Sequence, residues 1–108
     1  MSFDFKCFLD RRPEIGKGVL IAKGAIVSGA VTLGDYASVW YNAVLRGDVG
    51  EIFIGKCTNI QECACFHTST GQPCRVGDYV IVGHGAIVHS ATVADNCLIG
   101  MGSILLDG

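Results

Sequence analysis

The chain has 108 residues, a formal net charge of -2, 50% apolar residues and 17% charged residues. That is one domain at most, and the apolar content excludes a disordered chain. The balance excludes the clustered Lys and Arg of a nucleic-acid footprint. No apolar run reaches the roughly 18–20 residues of a membrane span, because Lys17 and Lys23 interrupt the best candidate, Ile15 to Leu33. Neither nucleic acid nor membrane is therefore expected as a partner. The opening Met1-Ser2-Phe3-Asp4-Phe5-Lys6 lacks the layout of a secretory signal. The six cysteines are accordingly expected as free thiols in a reducing compartment, and the expected location is cytoplasmic.

Residues 1–14, with Phe3, Phe5, Phe8, Leu9, Arg11 and Arg12, are expected to form an N-terminal cap over an open strand edge. From Ile15 onward an aliphatic rung recurs every six residues: Ile15, Ile21, Val27, Leu33, Val39 and Leu45, then Ile54, Ile60 and Phe66, then Val76, Val82 and Val88, then Val93, Ile99 and Leu105. Gly or Ala follows many rungs directly, and a small or aliphatic residue sits four places past most of them, as at Ala37, Ala43, Ala64 and Ala86. A period of six with two inward positions fits neither an amphipathic helix nor a long alternating strand. It fits a solenoid in which each hexad is one short strand plus a turn. An ordinary antiparallel β domain is the alternative, but its turns would be irregularly spaced, nearer every 8–12 residues. The Gly or Ala after each rung is expected at the tight corner.

This pattern resembles the hexapeptide-repeat, left-handed parallel β-helix family. The resemblance implies an all-β prism in which three hexads close one coil. The expected domain covers residues 15–108 and stops in mid-hexad, as if truncated at the C-terminus. The ladder breaks three times. Leu45 to Ile54 spans nine residues, Phe66 to Val76 spans ten, and Val88 to Val93 spans five. Insertions in a solenoid go to loops at a corner, often on the functional face. The missing residue must distort a corner near His89.

Coil arithmetic orders the three histidines. His67 and His89 each lie one past a rung, and the interval between them is three hexads plus the insertion of four. The interval from Arg46 to His67 is likewise three hexads plus the insertion of three. Arg46, His67 and His89 therefore form one column. His84 lies two past Val82, on another face. Ligands of one metal lie within about 4 Å of one another, so His84 would have to meet His67 and His89 of a neighbouring chain. A homotrimer with three interfacial sites satisfies this. Three imidazoles with an open fourth position suit a catalytic zinc; the alternative is three corner histidines with no metal.

Residues 40–108 resemble the gamma-class carbonic anhydrase family. The matching stretches are Trp40-Tyr41-Asn42-Ala43-Val44-Leu45-Arg46-Gly47-Asp48, Thr58-Asn59-Ile60-Gln61-Glu62, His67, Val82-Gly83-His84-Gly85-Ala86-Ile87-Val88-His89 and Leu98-Ile99-Gly100-Met101-Gly102-Ser103. The resemblance implies reversible hydration of carbon dioxide to bicarbonate by a metal-bound hydroxide at the interface of a homotrimer. It implies His67, His84 and His89 as metal ligands, with zinc, or iron(II) or cobalt on the same donors. It implies that Arg46 and Asp48 pair at the interface, that Gln61 orients the substrate, and that Asn59 supports it; corner capping is the alternative for Asn59. The proton shuttle is unassigned. Val49 stands where efficient members carry an acid, the loop Thr68-Ser69-Thr70-Gly71-Gln72-Pro73-Cys74 holds no carboxylate, and Glu62 is the one carboxylate close to the motif. Slow or buffer-limited turnover follows. Rival readings are a hydrolase acting on a thioester, a metal-stabilised trimeric scaffold, and a hexapeptide acyltransferase.

Cys63, Cys65 and His67 spell a metal-like motif, but their hexad positions do not converge. Cys97 is expected in the core and Cys74 exposed in the long loop. Trp40 and Tyr41 are expected to pack.

Overall fold

The computed structural model describes residues 8–108; Phe3 and Phe5 of the expected cap lie outside the described residues. The rungs stack into three walls of short parallel strands, a β-solenoid of about four turns. The first wall holds β1 (Glu14–Ile15), the end of β3 (Ile26–Leu33), the end of β5 (Val44–Ile54), β8 (Cys74–Val76) and β11 (Thr92–Val93). The second wall holds β2 (Leu20–Ile21), β4 (Ser38–Val39), β6 (Asn59–Ile60), β9 (Ile81–Val82) and β12 (Leu98–Ile99). The third wall holds the starts of β3 and β5, then β7 (Cys65–His67), β10 (Ile87–His89) and β13 (Ile104–Leu105). Among the described residues no helix is long and apolar enough to cross a membrane.

The register reproduces the broken ladder. Along the second wall Leu20 pairs with Ser38, Ser38 with Asn59, Asn59 with Ile81 and Ile81 with Leu98. The first step is three hexads; the next three are longer by three, longer by four and shorter by one. All three irregularities fall at the corner between the third and first walls. They take different forms. The first insertion is no separate loop: β5 runs through it, and its partner register shifts between Gly29 and Val31. The second is a true loop, 68–73, closed by an antiparallel bridge from Ser69 to Gln72. The deletion is absorbed by Ser90 at a φ of 48°.

Inside the prism, Leu33, Val39, Leu45, Ile54, Ile60, Phe66, Val76, Val82 and Val88 are buried, as are Ala37, Ala43, Ala64 and Ala86 four places on. Each large rung contributes roughly 1.5–3 kcal/mol of burial. Only the terminal rungs open up; Ile15 and Ile21 are 47% and 42% exposed.

The expected small residue after each rung is unbroken at one corner only; at the next corner Ala22, Gly83 and Gly100 share that place with Trp40 and Gln61. Between the first and second walls Gly16, Gly34, Gly55 and Gly77 stack, each against the backbone of the next coil. Next to them Asp35 and Asp78 accept from the Lys17 and Lys56 amides at 3.0 Å, and Asp95 accepts from the Asp78 amide at 2.8 Å. The chain reversal itself lies two residues later. The third residue past the rung is left-handed at Gly18, Gly24, Tyr36, Asn42, Cys57, Cys63, Tyr79, Gly85, Asn96 and Gly102. That turn swings the fourth residue inward, which is why it must be small. The other two corners accept large side chains, and the site residues occupy them.

Gly55 tests this packing. An added Cβ would collide with the Gly77 carbonyl and the Asp78 carboxylate. Gly55→Ala is expected to lower stability by about 1–3 kcal/mol, read from the urea midpoint. An unchanged midpoint would mean that adjacent coils separate freely at this corner.

Candidate metal and substrate site

The column expected from coil arithmetic forms. His67 pairs in register with His89, and their rings meet edge to face at 5.5 Å between centroids. Arg46 follows Leu45, which pairs with Phe66, so it extends the same column. Asp48, nearly buried, ties the column together. Its Oδ2 accepts from Arg46 Nη1 and its Oδ1 lies on His67 Nε2, both at 2.9 Å. The Arg46–Asp48 pair thus closes within one chain and orients an imidazole as well.

His84 stands apart, at the corner between the second and third walls. Its Nδ1 lies 2.9 Å from Glu62 Oε1. Glu62, Gln61, Asn59 and Trp40 line with it a surface cavity of about 270 Å³. Gln61 is half-buried there; its backbone amide donates to the Val82 carbonyl, and its side-chain amide makes no hydrogen bond among the described residues. Asn59 does not cap a corner. It sits in β6 and donates from Nδ2 to Ser38 Oγ at 2.8 Å, an oxygen that also receives Trp40 Nε1 at 3.1 Å. Trp40 packs edge to face on Tyr41 at 6.0 Å, but Tyr41 itself is 50% exposed.

Sequence reasoning missed one residue in contact with these histidines, Asp107. Its Oδ1 lies 2.7 Å from His89 Nδ1, and its Oδ2 accepts from Ser69 Oγ at 2.6 Å. Those hydrogen bonds, Ser69 first and His89 second, hold the Asp107 carboxyl below its ordinary range. The ladder carried the signal: Asp107 is two past rung Leu105, whose partner is Val88, one residue before His89. Each imidazole therefore leans on a carboxylate through one ring nitrogen, and among the described residues its other nitrogen has no hydrogen-bond partner. That is how metal-ligating histidines are usually held.

Among the described residues of one chain, no three His, Cys, Asp or Glu side chains converge as a metal site. Cys63 and Cys65 are both exposed, and with His67 they make no such group. Cys74 differs from its expected exposure. It turns inward at the start of β8, is fully buried, and burial pushes its thiol up to about 11. Cys97 is partly buried and packs against the core.

Comparison with known proteins places this architecture. Residues 12–47 match the family described as bacterial transferase hexapeptide, six repeats. A solved hexapeptide transferase family protein from Anaplasma phagocytophilum superposes with a TM-score of 0.72 at 31% identity, over 89% of this chain and 70% of that one. The chain belongs to the hexapeptide-repeat family. Within that family it is gamma carbonic anhydrase-like. A Methanocaldococcus jannaschii protein named "Probable carbonic anhydrase" is 55% identical over 91 residues, 84% of this chain and 57% of the relative. A Geobacillus kaustophilus protein named carbonic anhydrase is 44% identical over 90% of this chain and 53% of its own. The hexapeptide-repeat chain thus spans little more than half the length of these relatives.

The buried thiol yields a prediction. The folded chain keeps the Cys74 proton up to about pH 11, whereas an ordinary thiol loses it near 9.0. A raised acid stabilises the fold below the unfolded pKa, and that contribution is lost as pH rises from about 9 to 11. A thiol reagent at pH 8 is expected to modify Cys57, at the corner away from the third wall, in the folded chain and Cys74 only after urea is added. Mass spectrometry of the labelled peptides checks this.

Proposed function

We propose that this chain is a left-handed β-helix and forms a gamma-type carbonic anhydrase, hydrating carbon dioxide reversibly to bicarbonate at zinc sites shared between neighbouring chains of a homotrimer. The observation that carries the reading is the division of the imidazoles between the two edges of one wall. His67 and His89 stand at the far edge of the third wall, and His84 at its near edge. Between them the wall presents Ile26, Ile87 and Ile104, exposed by 52%, 41% and 65%. An apolar strip of this kind is what an oligomer interface buries. Three such walls around a threefold axis set the near edge of each chain against the far edge of the next.

The donor chemistry fits the metal. Three neutral imidazoles, each held by a carboxylate, suit zinc with an open position, and iron(II) or cobalt can use the same donors. Zinc held there supplies a water acidic enough to ionise near neutral pH. The chain's own groups do the rest. Gln61, its side-chain amide uncommitted, donates to an oxygen of carbon dioxide or bicarbonate beside His84. Asn59, fixed on Ser38, keeps the cavity floor in place. Asp48 fixes the His67 ring and is itself fixed by Arg46. Proton export falls to Glu62 and to buffer, since Val49 and the 68–73 loop carry no acid.

Zinc-loaded chain is expected to hydrate carbon dioxide in stopped flow, faster as imidazole buffer is raised. His84→Ala and His67→Ala should each fall to background. Mixed and reassembled, the two variants should recover about a quarter of the wild-type rate, because random pairing restores one interface in four. No activity from the mixture, with both variants fully trimeric, would sink the shared site. Zinc-loaded wild type without turnover would sink the carbonic anhydrase reading.

A further inference from the structure

We propose that Asp107 is a positioning residue that fixes the ring orientation and tautomer of His89. The inference rests on the metal reading above for its consequence, but the orientation itself stands on the fold. Asp107 enters from the coil after His89, two residues past β13. Its two carboxylate oxygens do different jobs. Oδ1 accepts a hydrogen bond from His89 Nδ1 at 2.7 Å, and Oδ2 accepts one from the Ser69 hydroxyl at 2.6 Å.

The carboxylate is not left to choose its own place. The next residue, Gly108, donates its amide to the Ser90 carbonyl at 3.0 Å. Ser90 is 3% exposed and left-handed, the residue that absorbs the missing position in the ladder. Its Oγ accepts the Ser69 amide at 2.7 Å and donates to the Gln72 carbonyl at 2.6 Å. The inserted loop 68–73, the shortened corner at Ser90 and Asp107 thus form one hydrogen-bonded unit around His89. With the Nδ1 proton committed to Asp107, the lone pair of His89 lies on Nε2, which has no hydrogen-bond partner among the described residues. A neutral histidine without that partner would divide between its two tautomers. A ligand nitrogen would then face outward only part of the time.

The test compares wild type with Asp107→Ala, Asp107→Asn and Ser69→Ala, all shown to be folded by their urea midpoints. Imidazole nitrogen shifts of His89 are recorded on metal-free protein at pH 8. Wild type is expected as the Nδ1-protonated tautomer alone, and Asp107→Ala as a mixture. Asp107→Asn, which keeps an acceptor without the charge, should largely restore the single tautomer. Ser69→Ala should leave it unchanged. Zinc affinity, from competition with a chromogenic chelator, should fall about 10–100-fold in Asp107→Ala. A single Nδ1-protonated form persisting in Asp107→Ala overturns the proposal. So does loss of that form in Ser69→Ala, which would make Asp107 only an anchor for the loop. Zinc binding absent from wild type, with the tautomer shift intact, would overturn the metal reading and leave the orientation of His89 by Asp107 established.

Discussion

The stacking of one rung on the next governs everything else in this chain. A parallel strand of two or three residues has almost no stability alone. Here each strand inside a wall is hydrogen-bonded to the coils on both sides and drops one aliphatic side chain into a continuous core. A one-residue slip would turn the rung outward and empty the prism. Every coil must therefore return to the same wall in the same phase, whatever its length. Along the second wall the coils gain three positions, gain four or lose one, and Val39, Ile60, Val82 and Ile99 still meet in register.

That constraint explains where variation is allowed. The corner between first and second walls is closed by stacked glycines and by aspartates that grip the coil before. The corner between second and third walls keeps its hexad length throughout. Only the third corner lengthens or shortens, by a strand that bulges at 48–51, a loop at 68–73 and a compressed turn at Ser90. His67, His89, Asp48 and Asp107 all belong to this adaptable corner. His84, Gln61 and Glu62 belong to the rigid one.

Much of this was legible because the period is written in single residues. Six-residue spacing identifies the rungs, and counting between them predicts that His67 and His89 meet and that His84 does not join them. What counting could not supply was the turn. The spacing marks the residue after the rung as the tight position, yet the left-handed residue is two further on. There Tyr36, Asn42, Cys57, Cys63, Tyr79 and Asn96 stand without any glycine to announce them. A left-handed tyrosine costs about 1–2 kcal/mol against its preferred conformation, and only the surrounding ladder holds it. Cys74 departs from its expected exposure for a related reason. Its place at the end of a polar loop suggests exposure, but it is the first residue of β8, paired with Ile52, and that pairing turns it inward.

Carboxylates were the least legible part, since their partners lie one coil away. Asp48, Glu62 and Asp107 look like unrelated acids in sequence, yet each takes one nitrogen of a different histidine. Two of the three pairs lie at the adaptable corner, and there the nitrogens differ. His67 gives Nε2 to Asp48, whereas His89 gives Nδ1 to Asp107. Two stacked rings held through opposite nitrogens present their free nitrogens from opposite ends of the imidazole. The irregular corner thus supplies what a uniform ladder cannot: two histidines at equivalent positions with different aims. The regular corner supplies the third histidine at a fixed height, and in the proposed assembly a partner chain closes the distance between them.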